Sequence, residues 1–548
     1  MPVSTTGSPN RDRRTTSAFR KGITIVAEFT WESALAELDR RRAAARELGG
    51  QRRIDRQHAQ GRQTIRERIT AAAKEFHEIG EFAVFEERSA TGELLGKMPA
   101  SYVCGLAQFG GRTVALGGED FTVRAGAPQS YLDRMKGGLG GFVEDLAHEY
   151  RIPLVLFMEG IGGDVAAQAE KGHSYLVSSM SWQRSYELLS EVPVLAMVSG
   201  AAAGGTAGRT VLSHFSVMTK DSVLFAGGPP LVKRALGMDV DKEQLGGAKI
   251  HTGGSGAVDN LAEDEADAIE QMQTVLSYLP QSVWELPPRG EQTDPVDRRG
   301  DEILKIIPEN RRRPYKVQKV IGEIVDRGSF FEVGGRWGKS VVTGYARMDG
   351  ISVGVVASNS MHLGGALDAA AAEKQIRFVD ICSTFHLPII YLVDVPGFMV
   401  GPDAERGNVI RWGMRAIQSI IEAEVPVITI HVRKAYGMAV SATANPDSLC
   451  LRLAWPTAEW GDLPVEGGVE AGFSREIAAA EDPAEYRRAV EDRMHALADP
   501  WGTVEAFGVE NMIDPRETRE IVCAFINASR GLMETKRGPQ QRRWSLRP

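Results

Sequence analysis

Two tandem α/β domains, copies of one duplicated unit, are what this sequence predicts. The first observation behind that prediction is a repeat. Val192-Pro193-Val194 leads through an apolar run to Gly204-Gly205, and Val425-Pro426-Val427 leads through a second apolar run to Gly437-Met438. The paired valines and the paired glycines are each 233 residues apart. Upstream, Ile152-Pro153-Leu154-Val155-Leu156 matches Leu387-Pro388-Ile389-Ile390-Tyr391 at an offset of 235, and Gly111-Arg112-Thr113-Val114 matches Gly350-Ile351-Ser352-Val353 at 239. The second observation is alternation: short apolar runs separated by helical periods, the pattern of buried parallel strands with crossover helices. The third is length, since 548 residues suit two domains of about 200 to 250 residues better than a single core.

Taken in order, residues 1–22 carry Arg11, Arg13, Arg14, Arg20 and Lys21 with Asp12 the only acid. That composition suits a disordered basic tail, or a mitochondrial transit peptide, although no apolar face recurs there at helical spacing. The first domain is expected over 23–286, with a helix over 130–149 and strands over 154–158 and 194–198. The polar, proline-rich stretch from Leu286-Pro287-Pro288 to Arg311-Arg312-Arg313-Pro314 marks a linker over 287–313, its arginines read as solvated linker charge. The second domain is expected over 314–548, with helices over 368–385 and 411–424 and strands over 389–393 and 427–432.

Composition narrows the function. A chain with 43% apolar and 25% charged residues is an ordinary globular protein, and no apolar run approaches the 18 or so residues of a membrane span. The formal net charge of −8 argues against general nucleic-acid binding. Cys104, Cys382, Cys450 and Cys523 lie far apart with no CxxC pair, which fits reduced thiols in a cytoplasmic setting. The histidines form no HExxH, so no metal site is expected. Trp337-Gly338-Lys339-Ser340 lacks the upstream glycine of a phosphate loop and reads as a strand start. Gly137-Gly138-Leu139-Gly140-Gly141 has no dinucleotide register, and Ser199-Gly200 lacks the frame of a nucleophile elbow.

What remains is the pair of small-residue turns. A strand ending in Ser199-Gly200-Ala201-Ala202-Ala203-Gly204-Gly205-Thr206 lets the backbone approach a ligand closely. Two convergent N–H groups there can stabilise a developing oxyanion. Tight helix packing would explain one such segment; duplication of the segment favours a paired site.

The residues also resemble a family, the carboxyltransferase (β) subunits of biotin-dependent acyl-CoA carboxylases, which include the propionyl-, methylcrotonyl- and longer acyl-CoA enzymes. The resemblance runs from Thr64-Ile65-Arg66-Glu67-Arg68-Ile69 almost to the C-terminus. It is carried by Ser222-Val223-Leu224-Phe225-Ala226-Gly227-Gly228-Pro229-Pro230-Leu231-Val232-Lys233 and Glu243-Gln244-Leu245-Gly246-Gly247-Ala248 in the first half. In the second half it is carried by Val393-Asp394-Val395-Pro396-Gly397-Phe398, Arg433-Lys434-Ala435-Tyr436-Gly437 and Ala454-Trp455-Pro456-Thr457-Ala458.

That resemblance implies two crotonase-like domains and a β hexamer, homomeric or mixed, with sites between the N-domain of one subunit and the C-domain of another. It implies transfer of CO2 from carboxybiotin to the α- or vinylogous γ-carbon of an acyl-CoA through an enolate, one oxyanion turn serving biotin and the other the thioester. The family's glycine pairs carry over to Gly204 and Gly205 and to Gly437, Met438 and Ala439. Substrate and biotin contacts carry over to Ala203, Thr206, Gly227, Gly228, Pro229, Gly364, Gly365, Tyr436, Val440 and Ser441. The chain has no Ala-Met-Lys-Met biotinylation motif and no ATP-grasp region. Biotin is therefore expected on a partner, a biotin carboxylase and carrier (α) subunit.

Four departures from the family pattern stand out. Met438 replaces a glycine, and Ser441 replaces a commonly acidic residue linked to acyl choice. Glu159-Gly160-Ile161-Gly162-Gly163-Asp164 replaces Asp-Ser-Gly-Gly-Ala, and Glu459-Trp460-Gly461-Asp462-Leu463-Pro464-Val465-Glu466 replaces a stretch with Met-Gly. A biotin-dependent acyl-CoA decarboxylase subunit and a weakly active scaffold β subunit share these motifs and stand as alternatives.

Overall fold

The computed structural model describes residues 29–88, 93–127, 135–138, 140–163, 182–448 and 450–541. The basic segment 1–22 and Asp164 lie outside them. In the first half, helix α1 (Ile65–Ala72) opens on a capping box in which Thr64 and Glu67 satisfy each other's backbone N–H groups. Strands β1 (Ala73–Ile79), β4 (Tyr102–Phe109) and β5 (Arg112–Glu119) follow, with the separate hairpin β2 (Val84–Arg88) and β3 (Leu94–Pro99) between the first two. Helix α2 (Phe142–Tyr150) leads to β6 (Leu154–Gly160) and β7 (Val194–Ala203). Helix α3 (Gly205–Val211), β8 (Phe215–Thr219), β9 (Val223–Phe225), β10 (Asn260–Ala262) and helix α4 (Glu265–Tyr278) complete the half.

The second half repeats the order. Strands β11 (Phe331–Val333), β12 (Val341–Met348) and β13 (Ile351–Ser358) precede helix α5 (Ala369–Thr384), β14 (Ile389–Val395), helix α6 (Val409–Glu422) and β15 (Val427–Tyr436). Strands β16 (Leu451–Ala454), β17 (Glu459–Gly461) and β18 (Asn511–Met512), then helix α7 (Thr518–Thr535), close the chain.

Each half builds an eight-stranded mixed sheet, and the two orders correspond strand for strand. The first runs β1-β4-β5-β6-β7-β8-β10 with β9 on β7; the second runs β11-β12-β13-β14-β15-β16-β18 with β17 on β15. The first three strands of each sheet pair antiparallel and the rest parallel, so the expected parallel sheet is mixed at one edge. The antiparallel hairpins explain the matched glycines. Gly110-Gly111 and Asp349-Gly350 both take positive φ, as a two-residue turn between β4 and β5 and between β12 and β13 requires.

The apolar strands are unbroken because both faces are covered. Val155, Phe157, Leu195 and Met197 point into one cluster that continues through Ile389, Tyr391 and Val427, so the halves share a core. The alternate residues Leu154, Leu156, Val194 and Ala196 pack into a second cluster, and Ile390, Leu392, Ile428 and Ile430 into a third.

Predicted helix boundaries hold where caps exist: Asp368 caps α5, accepting from Ala371 N–H. Of the helix expected over 130–149, residues 130–134 and 139 lie outside the described residues; among the others it begins at Phe142, with Gly141 as its N-cap, and glycines at 137, 138, 140 and 141 oppose a helix there. The stretch 287–313 packs on the second half. Gly290 N–H donates to Gly350 O at 2.7 Å, Ile303 is buried, and Arg311 pairs with Glu459 at 2.8 Å. No helix among the described residues is long and apolar enough to cross a membrane.

Candidate active site

Strand β7 ends at Ala203, and Gly204 (φ 57°, ψ −120°) swings the chain into α3. That combination of dihedrals is essentially confined to glycine. The N–H of Gly204 donates to Phe225 O at 3.2 Å and extends the β7–β9 pairing, so it is already committed. The next amides, of Gly205 and Thr206, meet no acceptor among the described residues, as expected of N–H groups at a helix start. Of the two amides expected to be available, Gly204 and Gly205, only that of Gly205 is uncommitted, and Thr206 is its neighbour.

The second turn has the same construction. Gly437 (φ 65°, ψ −166°) follows Tyr436, and its N–H donates to Gly461 O at 3.0 Å, extending the β15–β17 pairing. The 3₁₀ turn Met438–Ala442 then leaves the amides of Met438 and Ala439 without an acceptor among the described residues. Met438 keeps its donor, and its side chain is 56% exposed. Val440 packs against the core and Ser441 is exposed. Tyr436 is buried, and burial pushes its hydroxyl up to about 12.

A second pair of turns lies beside these. Leu363–Gly365 holds Gly364 (φ 61°) and Gly365 (φ 87°), and a Cβ on Gly365 would run into Asp394 O. Its counterpart is Arg124–Gly126, with positive φ at Arg124, Ala125 and Gly126. The first copy has one glycine instead of two, which hides it in sequence. The signal that could have found it is position: Gly126 and Gly365 are separated by the same 239 residues as Gly111 and Gly350.

Charge beneath the turns differs sharply. Both parallel ladders slip register at one carboxylate, between Met158 and Gly160 and between Val393 and Val395, placing Glu159 and Asp394 at equivalent bulges. Asp394, 1% exposed, accepts from Arg433 Nε at 3.1 Å and Nη2 at 2.9 Å, and Arg433 lies 4.6 Å over the Tyr315 ring. Lys434 Nζ reaches across to donate to Gly364 O at 3.0 Å. In the first half the positions of Arg433 and Lys434 fall on Gly200 and Ala201. Glu159 is held instead by Gln57 (2.8 Å), Arg62 (2.8 Å) and Arg68 (3.1 Å), brought in from the segment before β1.

Small residues at these positions leave space. Ala125 and Ala201, the counterparts of Gly364 and Lys434, line a cavity of about 420 Å³ with Arg53, Arg56, Arg62 and Arg124. Among the described residues no carboxylate pairs with Arg53 or Arg56. Behind the turn, Arg209 of α3 pairs with Glu144 and, at 3.4 Å, with Glu119. Burial pushes both carboxyls up, and Arg209 opposes the shift. Gly227 and Gly228 follow β9, and Pro229 opens a helix, Pro229–Leu236, with no buried residue and with Leu231 and Leu236 exposed. Among the described residues no His, Cys, Asp and Glu cluster could hold a metal ion.

With this geometry established, comparison with known proteins is specific. The carboxyl transferase domain model matches residues 56–543. The propionyl-CoA carboxylase carboxyltransferase subunit of Haloferax mediterranei is 33% identical over 523 residues, covering 93% of this chain and 98% of its own. The methylmalonyl-CoA carboxyltransferase 12S subunit of Propionibacterium freudenreichii subsp. shermanii is 32% identical over 510 residues, covering 91% and 94%. The crystal structure of transcarboxylase 12S, a hexamer with methylmalonyl-coenzyme A and methylmalonic acid bound, superposes with a TM-score of 0.82 at 30% identity over 95% of this chain and 98% of that one.

Proposed function

The chain belongs to the carboxyl transferase domain family and is a carboxyltransferase subunit of the biotin-dependent carboxylase kind; on that premise, we propose that it moves CO2 between carboxybiotin on a partner α subunit and the α-carbon of an acyl-CoA, in a hexameric assembly. The observation that carries this reading is the repeated pair of uncommitted amides, Gly205 with Thr206 and Met438 with Ala439. Carboxyl transfer of this kind develops negative charge on two oxygens, one on the biotin ureido group and one on the thioester. A protein that presents two preorganised donor pairs meets both needs, each donor contributing about 3 kcal/mol.

Carboxybiotin, when bound, supplies both CO2 and a base. The chain's own residues hold and orient. The first turn and its arginine-lined cavity suit a ligand with phosphates: Arg53 and Arg56, which pair with no carboxylate among the described residues, match the diphosphate and 3′-phosphate of coenzyme A. At the corresponding position of the second half, Lys434 bridges to Gly364. We assign the nucleotide end of the acyl-CoA to the first half of one subunit. The thioester then lies against the second turn of a neighbour, where Met438 and Val440 shape the acyl space.

The test is transfer of labelled carboxyl from malonyl-CoA or methylmalonyl-CoA to free biotin by the purified assembly, which needs no partner subunit. Turnover that depends on biotin supports the assignment. A folded hexamer that fails with both acyl-CoAs, and with its native α subunit, refutes it.

A further inference from the structure

Three stretches of backbone meet in close contact beneath the first turn, with the Glu119 side chain at their edge. A Cβ on Gly126 would lie 2.6 Å from Glu159 O and 2.8 Å from Gly160 Cα. One on Gly162 would lie 2.5 Å from both Ala203 O and Gly205 N. Ile161 N–H donates to Ala125 O at 3.1 Å. Segment 159–162 is thus clamped between the 124–126 turn, which lines the basic cavity, and the turn that carries the amides of Gly205 and Thr206.

The anchor of this segment is Glu159, 1% exposed at the bulge of β6. Arg62 has two faces: its Nη1 donates to Glu159 Oε1 at 2.8 Å, while the side chain also lines the cavity. Gly200 makes room for the pair, since a Cβ there would overlap Glu159 Oε1 and come within 2.8 Å of Arg62 Nη1. Arg53 and Arg56 line the same cavity without that second contact; Arg53 donates to Thr122 O at 3.4 Å, and Arg56 pairs with no carboxylate among the described residues.

We infer that Arg62 and Glu159 are positioning residues which couple filling of the basic cavity to the placement of the first turn's amides. This rests on the assignment of the cavity to the phosphates of coenzyme A. An anionic group beside Arg62 competes with Glu159 for one guanidinium. Any shift of Glu159 passes through Gly160 to Gly162 to the Gly205 N–H by direct backbone contact, and close-packed backbone transmits displacement rather than absorbing it. The allocation of binding energy follows: phosphate contacts at Arg62 are spent on setting the catalytic geometry as well as on affinity.

The test compares a carboxylated acyl-CoA with the matching pantetheine thioester, which lacks the phosphates, in transfer to free biotin. The faster of malonyl and methylmalonyl is used as the acyl group. Arg56→Met is expected to raise KM for the CoA substrate about tenfold, the signature of a contact made equally in ground and transition states. Arg62→Met is expected to lower kcat about tenfold with both substrates, because misplaced donors cost rate whichever ligand is bound. Arg62→Lys should recover most of that kcat. Glu159→Gln should lower kcat with both substrates and leave KM near its original value. Thermal melting of each variant separates these effects from unfolding. The coupling is overturned if the whole Arg62→Met defect lies in KM and vanishes with the pantetheine thioester, or if Glu159→Gln turns over at the parental kcat. A parental KM in Arg56→Met would overturn the cavity assignment instead.

Discussion

In the first half, the carboxylate at the bulge of the central ladder, Glu159, is gripped by Arg62 and Arg68 from 97 and 91 residues upstream. In the second half its counterpart, Asp394, is gripped by Arg433 from the adjacent strand, 39 residues on. The backbone around the two carboxylates is alike: the same register slip, the same glycine with its N–H committed to a short extra strand, and the same two amides beyond it with no acceptor among the described residues. Duplication has preserved what topology fixes, the pair of amides left without an acceptor among the described residues. It has let side chains diverge beside each turn, an open arginine-lined cavity in one half and a lysine bridge in the other.

The comparison can be broken first at the buried pair. Arg433→Met leaves Asp394, 1% exposed, with only the Lys434 N–H at 3.2 Å and the Lys434 Nζ at 3.8 Å, and breaking a buried pair costs about 3 to 5 kcal/mol. Denaturant unfolding should show that loss. Arg62→Met should cost less, since Glu159 keeps Gln57 and Arg68. Equal losses would mean the two networks are interchangeable.

Proline at the first free amide of each turn tests the donors themselves. Gly205 is the first residue of α3, where proline costs no helical hydrogen bond, and a Cβ there meets nothing within 4 Å. Gly205→Pro should fold yet lose about a hundredfold or more in kcat, roughly 3 kcal/mol, while Gly205→Ala keeps most activity. Near-parental turnover in a folded Gly205→Pro protein would remove the first turn from the mechanism. Met438→Pro should behave likewise in the second turn.

The repeat, the alternating α/β order and the location of both turns were legible in the sequence, because duplication preserves apolar runs and glycine positions. Which amides are free was not legible. That depends on β9 and β17, three-residue strands too short to register in sequence, which claim the N–H groups of Gly204 and Gly437. The Arg124–Gly126 turn stayed hidden because non-glycine residues hold positive φ there. The network around Glu159 joins positions 57, 62, 68 and 159, a proximity only the fold creates.

Ala201→Lys transplants the second half's closure into the first. A lysine there has the reach that Lys434 uses toward Gly364, and it should fill the cavity beside Ala125. KM for acyl-CoA is expected to rise about tenfold, about 1.4 kcal/mol, with little change for a pantetheine thioester. An unchanged KM would place the phosphates elsewhere.

An effect of similar size, on selectivity rather than affinity, is expected at Met438. Met438→Gly keeps the donor and removes an exposed side chain beside it, so acyl preference should shift by about tenfold, in the range of about 1 to 3 kcal/mol for a pocket that gains or loses a methylene. Identical ratios of kcat/KM across short, branched and long acyl-CoAs would show that Met438 points away from the acyl group.

The unequal roles of the two halves are tested most directly by a structure of the assembly with a non-hydrolysable acyl-CoA bound. The nucleotide end should lie in the first-half cavity against Arg53, Arg56 and Arg62, with the thioester oxygen within hydrogen-bond distance of the Met438 and Ala439 amides of a neighbouring subunit. Density for the nucleotide beside Lys434 and Gly364, or a thioester remote from both turns, would contradict it.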